Sequence, residues 1–185
     1  MKREIRVIGI DDCPHTKKDN FVYVIGTIFR GSKILDGVIS CKVKIDGDDA
    51  TEKIAFMINN SKFKKQLKVI FLDGIAVGGF NVVDIQELYE KTKIPVIVIM
   101  RNYPNLEKIK FTLIKINMKE KIKLIEKAGN IFNLGKLHYQ FYGIEKKDAE
   151  ELILISKSNS EIPEAIRVSH LIGQGLIFGE SKGRA

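Results

Sequence analysis

The stretch F-V-Y-V-I-G-T-I-F-R-G-S-K-I-L-D-G-V-I-S-C-K-V-K-I, Phe21 to Ile45, constrains the topology most tightly. Its first part, Phe21–Phe29, is rich in β-branched and aromatic residues, which pack well on a pleated surface. Arg30-Gly31-Ser32-Lys33 reads as a tight turn, with Gly31 able to supply positive φ. From Ile34 to Ile45 apolar and polar residues alternate, which predicts a return strand. A link this short joins antiparallel neighbours, because parallel strands need a crossover of about a dozen residues.

Toward the N-terminus, Ile5–Ile10 reads as a buried strand that ends in V-I-G-I-D-D, Val7 to Asp12. Its connection to Phe21 is also too short for a helical crossover, so the chain opens with a three-strand antiparallel meander. Toward the C-terminus the pattern switches. Asp49-Ala50-Thr51-Glu52 has capping-box spacing and leads a helix with Ala50, Ile54, Met57 and Ile58 on one face. Val69–Leu72 is a short apolar strand, and Asn81 is a candidate cap for a helix over Val82–Thr92. Ile94–Met100 is apolar on both faces, as expected of a covered parallel strand. Helices are expected over Leu106–Ile116, Lys119–Ala128, Glu145–Ser156 and from Pro163 to Phe178, with a small hairpin over Asn130–Phe141. A meander followed by αβαβ predicts an α/β, ribonuclease H-like mixed sheet: three antiparallel strands, then parallel ones, with helices on both faces.

The bulk composition agrees. With 185 residues, 44% hydrophobic and 29% charged, the chain reads as one globular domain over 1–185. No apolar run is long enough to span a bilayer, and M-K-R-E-I-R-V lacks the apolar core of a signal peptide, so no membrane and a cytoplasmic location are expected. The two cysteines, Cys13 and Cys41, form no C-x-x-C pair, which argues against structural zinc. A net charge of +8 leans modestly toward a polyanion partner, because a Lys- and Ile-rich proteome yields the same excess.

Adjacent acids in a basic chain repel, and they persist where they are solvated, cap a helix or share a cation. Asp11 and Asp12 follow the first strand, and Asp73 follows the fourth in F-L-D-G. If those strands are parallel neighbours, about 4.8 Å apart, their acids meet at the carboxyl end of the sheet, where open α/β folds place their sites. Oxygen ligands there point to Mg²⁺ or Mn²⁺. Taken singly, each acid reads more readily as a turn or cap residue; two of them at the ends of adjacent strands shift the balance toward a metal site.

Four motifs carry a resemblance: G-I-D-D, I-D-G-D-D-A-T-E, F-L-D-G-I-A-V-G-G-F-N-V-V-D and the closing R-V-S-H-L-I-G-Q-G-L-I-F-G-E-S-K-G-R-A. Over nearly its whole length the chain resembles the archaeal endonuclease dU family, which is distantly similar to endonuclease V. The resemblance implies a ribonuclease H-like fold and a divalent-metal-dependent endonuclease acting in DNA repair on deaminated bases, uracil or hypoxanthine. It implies metal ligands at Asp11, Asp73 and Asp49, with Asp48 an alternative to Asp49, and catalytic roles for Asp11, Asp49, Asp73 and His170. Asp12 and Glu180 are left open. Gly74, Gly78 and Gly79 are expected to let backbone approach nucleic acid closely. DNA is the implied partner, with RNA left open. The Pro-Tyr-Ile-Pro wedge and the His-Pro-Arg of endonuclease V are absent, which leaves lesion recognition undecided.

Three other readings remain. One is a nucleotide-binding loop at Asp73–Val83, which fits neither G-x-G-x-x-G nor a Walker spacing. Another is a non-catalytic nucleic-acid-binding protein with a vestigial metal site. The third is a cysteine nucleophile built from Cys13 and His15.

Overall fold

A computed structural model describes residues 4–16 and 18–182. Met1-Lys2-Arg3 and the Gly183-Arg184-Ala185 end of the last motif lie outside the described residues.

The meander forms as read. Strands β1 (Arg6–Asp12), β2 (Phe21–Arg30) and β3 (Ile34–Lys44) pair antiparallel in sequence. Helix α1 (Ala50–Asn59) leads to β4 (Leu67–Asp73), which lies parallel to β1 on its other side, with Gly9 opposite Phe71. After α2 (Ile85–Thr92), β7 (Val96–Met100) joins parallel to β4. Between β4 and α2 runs a two-stranded ribbon, β5 (Ala76–Val77) with β6 (Asn81–Val82). Helices α3 (Leu106–Lys115) and α4 (Lys121–Lys127) follow. The expected hairpin, β8 (Phe132–Leu134) and β9 (Leu137–Tyr142), does not stand alone. It adds antiparallel to β7 and completes one sheet of seven strands, ordered β3-β2-β1-β4-β7-β9-β8. Helices α5 (Lys146–Ile155) and α6 (Glu164–Phe178) close the fold.

The central strands alternate between two cores. Ile8, Ile10, Ile70, Leu72, Val96 and Val98 meet α1 and α2 on one face. Val7, Val69, Phe71, Ile97 and Ile99 meet α5 and α6 on the other. Each fully buried Ile or Val stabilises by roughly 1.5–3 kcal/mol relative to exposure. Two covered faces explain why β7 reads as a continuous apolar run. Among the described residues no helix is long and apolar enough to cross a membrane.

One close approach positions the site. Helix α6 crosses β1 at Gly9, where a Cβ would collide with the backbone of Ala165 and Ile166. Ser169 Oγ donates to the Gly9 carbonyl (2.7 Å), and Thr27 Oγ1 donates to the Ala165 carbonyl (2.6 Å). A residue without a side chain lets the helix sit on the strand and carries the next residue, His170, to the end of β1.

Two caps differ from the sequence reading. Helix α2 starts at Ile85, and Asp84 caps it by accepting from the Gln86 and Glu87 amides. Asn81 is instead fully buried and serves α1: its Oδ1 accepts from the Ala50 amide (3.0 Å). Asp49 therefore makes no side-chain cap on α1. Its carboxylate turns back to the Lys44 amide (3.1 Å) and Asn81 Nδ2 (2.7 Å). Asn81 carries both a donor and an acceptor, so it ties the β3–α1 loop to the ribbon, which Asp49 alone cannot do.

Candidate metal centre

Strands β1 and β4 are parallel neighbours, so Asp11 and Asp73 emerge at the same carboxyl end. His170, from α6, completes the cluster: Asp11, Asp73 and His170 each offer a ligand atom, and these lie within 4.8 Å of one another. His170 Nδ1 is 2.8 Å from Asp11 Oδ2, and the Asp12 amide donates to Asp11 Oδ1 (2.9 Å). On the far side Arg101, just past β7, pairs with Asp73 (3.1 Å). Asp11, Asp12, His15, Asp73, Arg101 and His170 line an open depression of about 490 Å³.

The electrostatics favour a cation. The Asp11 and Asp73 side chains are only 9% and 12% exposed. Burial pushes the Asp11 carboxyl up to about 6; the His170 hydrogen bond opposes this, while the charges of Asp73 and Asp12 add to it. Burial also raises Asp73, against the pull of Arg101 and His170. His170 is raised by its hydrogen bond to Asp11, with burial opposing. Two partly desolvated carboxylates crowd together here, and a divalent cation between them would relieve both burial and repulsion. Two carboxylates suit Mg²⁺ or Mn²⁺, so Asp11 and Asp73 fit such an ion.

The other expected residues lie elsewhere. Asp49 is not part of the cluster, because the Lys44 amide and Asn81 hold its carboxylate. Asp48 is largely exposed and pairs with Lys121 (3.1 Å). Asp12 lines the same depression but is outside the cluster, accepting from the Gly78 amide (3.0 Å) and facing His15 (3.4 Å). Glu180 pairs with Lys182 at the exposed end of α6 (3.6 Å). Gly78 and Gly79 both have positive φ and turn the β5–β6 ribbon. Gly79 also faces the Asp46 carboxylate, which accepts from the Phe80 amide (2.7 Å). Gly74 follows Asp73 with open space where a side chain would be.

Several participants carry no local signal. Lys121 is buried, and its ammonium donates to the carbonyls of Asp46 (2.8 Å), Gly47 (2.6 Å) and Phe80 (2.8 Å). Lys110 of α3 pairs with Glu126 and Lys127 of α4 with Asp84, so these two lysines serve the fold. Arg101 reads as an ordinary surface residue until its strand order places it beside Asp73. Gln174 meets the His170 ring (2.8 Å), whereas Arg167, one turn before His170 on α6, pairs with Glu164.

Two rival readings lose their geometry. Cys13 is buried, and burial pushes its thiol up to about 11. His15 Nδ1 faces the Cys13 carbonyl (3.3 Å). A nucleotide-binding loop would offer α2's first amides to phosphate, but Asp84 already takes those of Gln86 and Glu87.

Comparison with known proteins agrees with this picture. A UPF0215 protein of Methanothermobacter thermautotrophicus is 47% identical over 100% of this chain and 94% of its own length. The crystal structure of a protein of unknown function from Archaeoglobus fulgidus superposes with a TM-score of 0.88 at 38% identity, covering 94% of this chain and 99% of that one. Human ENDOV matches with a TM-score of 0.54 at 16% identity, over 90% of this chain and 81% of that one. Endonuclease V of Ciona intestinalis, in complex with a 24mer DNA containing an inosine followed by a ribo-adenosine, matches with a TM-score of 0.53 at 13% identity, over 90% and 82%. The last two share the fold, which is that of endonuclease V, a ribonuclease H-like nuclease fold. The model of the family described as Endonuclease dU matches residues 3–177, and with such relatives along its whole length the chain belongs to that family.

Proposed function

We propose that this protein is a divalent-metal-dependent endonuclease that cuts DNA carrying deaminated bases, uracil or hypoxanthine, in DNA repair. The observation that carries this reading is the convergence of Asp11, Asp73 and His170 at the carboxyl end of β1 and β4, in a member of an endonuclease family. Asp11 and Asp73 would hold Mg²⁺ or Mn²⁺. When bound, such an ion supplies Lewis acidity and charge neutralisation at a phosphodiester.

The chain's own groups have clear tasks in that setting. His170 Nδ1, against Asp11, can hold or move a proton. Arg101 is 41% exposed, so its guanidinium can turn from Asp73 to a phosphate oxygen, which it suits as a planar donor. The open space at Gly74 leaves room for nucleic acid beside Asp73. The Gly78–Gly79 turn presents backbone in a fixed position, held by Asp12 and Asp46. Asp49 supports the fold in this scheme and holds no ion.

The test is nicking of labelled oligonucleotides containing uracil, hypoxanthine or no lesion, as DNA and as RNA. Reactions contain Mg²⁺, Mn²⁺ or EDTA, beside Asp11→Asn and Asp73→Asn. Metal-dependent cuts near a lesion, lost in both variants, are the expected result. Nucleic-acid binding without cleavage, equal in wild type and variants, overturns it. That outcome would favour the second reading, a non-catalytic binding protein, to which the Arg101–Asp73 pair already lends some support by satisfying Asp73 internally.

A further inference from the structure

The face of α6 that bears His170 continues one turn on to Gln174. Beyond the helix, Gly179 takes φ +80 and turns the chain back, so that the Lys182 amide reaches Gln174. That N–H donates to Gln174 Oε1 (2.6 Å). With its oxygen engaged, the side-chain amide presents its NH₂ group to His170, and Gln174 Nε2 lies 2.8 Å from His170 Nε2. A ring nitrogen facing an NH₂ group must accept, so Nε2 carries no proton. In a neutral imidazole the proton then sits on Nδ1, which is 2.8 Å from Asp11 Oδ2. The Asp12 amide fixes the other Asp11 oxygen (2.9 Å). Three groups thus donate in one direction, Lys182 to Gln174, Gln174 to His170 and His170 to Asp11.

We propose that Gln174, held by the C-terminal turn, is a positioning residue that sets the Nδ1–H tautomer of His170, so that His170 orients the Asp11 carboxylate by donation rather than ligating the metal. The functional half of this assignment rests on the metal-site reading above. Both imidazole nitrogens are already committed: Nδ1–H donates to Asp11, and the one ring lone pair, on Nε2, accepts from Gln174. Groups that hydrogen-bond a ligating carboxylate are typically worth about 10- to 100-fold in metal affinity.

The experiment uses the full, metal-free chain labelled with ¹⁵N, at a pH where the ring is neutral. Long-range ¹H–¹⁵N spectra report which ring nitrogen is protonated, and the three histidines are separated by the loss of one signal in His170→Asn. Wild type is expected to show His170 protonated at Nδ1. Gln174→Leu should yield a mixture of tautomers. Gln174→Glu should protonate Nε2 as well as Nδ1, because a carboxylate only accepts, and so hold the ring as the imidazolium to higher pH than in wild type. Lys182→Pro removes the anchoring N–H without touching the Gln174 side chain and should also loosen the preference. It lies in an exposed segment, so it gives the same readout should Gln174→Leu fail to fold. Calorimetric titration with Mn²⁺ should show binding roughly tenfold weaker in Gln174→Leu. A wild-type Nε2–H tautomer, or spectra unchanged across the Gln174 variants, overturns the proposal. Wild type that binds no Mn²⁺ overturns the metal reading instead, and the ring spectra then decide the Gln174 assignment alone.

Discussion

Two acidic regions, linked through the β5–β6 turn, behave differently. In the loop after β3, each acid has a local partner: Asp46 takes the Phe80 amide, Asp48 pairs with Lys121, and Asp49 takes the Lys44 amide and Asn81. At the ends of β1 and β4, Asp11 and Asp73 are nearly as buried as core residues, and burial raises both despite the donors they have in His170, the Asp12 amide and Arg101. The same residue type is scaffold in one region and a poised site in the other. What separates them is burial together with the crowding of like charge at Asp11, because a buried carboxylate beside another attracts a proton or a cation.

Five substitutions, the last followed over pH, probe that contrast. Asp11→Asn and Asp73→Asn should lower metal-dependent nicking by about 10³-fold and abolish Mn²⁺ binding, with little loss of fold. Retained Mn²⁺ affinity in either variant would break the contrast at its reactive end.

Lys121→Met strands three backbone carbonyls and should lower stability by about 3 kcal/mol in urea unfolding. Mn²⁺ affinity should stay within about twofold of wild type, because Lys121 serves the scaffold region and touches no member of the cluster.

Asp49→Ala removes two hydrogen bonds and should cost about 2 kcal/mol while nicking persists. Loss of nicking in a folded Asp49→Ala protein would move Asp49 into the chemistry, as the family resemblance implied.

The smallest effect concerns Asp84. Burial raises its carboxyl, but Lys127 and the Glu87 and Gln86 amides outweigh burial and hold it below the usual range. A depressed folded value means its contribution is fully present above the unfolded pKa and is lost as pH falls through the folded one. Asp84→Ala should therefore cost about 1 kcal/mol at neutral pH. Across the acid range below about pH 4, its stability should converge on that of wild type.

The meander was legible because its cues are local: β-branched runs, a four-residue turn and connections too short for a crossover. Asp11 and Asp73 were legible for a related reason, since an acid closing an apolar strand is conspicuous and the parallel pairing of β1 and β4 followed from topology. Helix α2 was misplaced by three residues because Asn81 and Asp84 are both good caps. No local rule distinguishes an Asn that caps the helix after it from one that reaches across to α1. The capping-box spacing at Asp49 misled in the same way, through Asn81, which lies 32 positions away.

Periodicity and connection length are properties of neighbouring residues, and they carried the element order, the ribonuclease H-like sheet and two of the three clustered side chains. Family resemblance to the whole chain supplied His170. Tertiary packing assigned the partners: α6 seated on Gly9 to deliver His170, Arg101 set against Asp73, Lys121 spent on carbonyls, and Gln174 turned toward the ring by a backbone amide beyond the helix. Each of these depends on a hydrogen bond or contact a few ångströms long between positions whose distance in the chain carries no information about their distance in space.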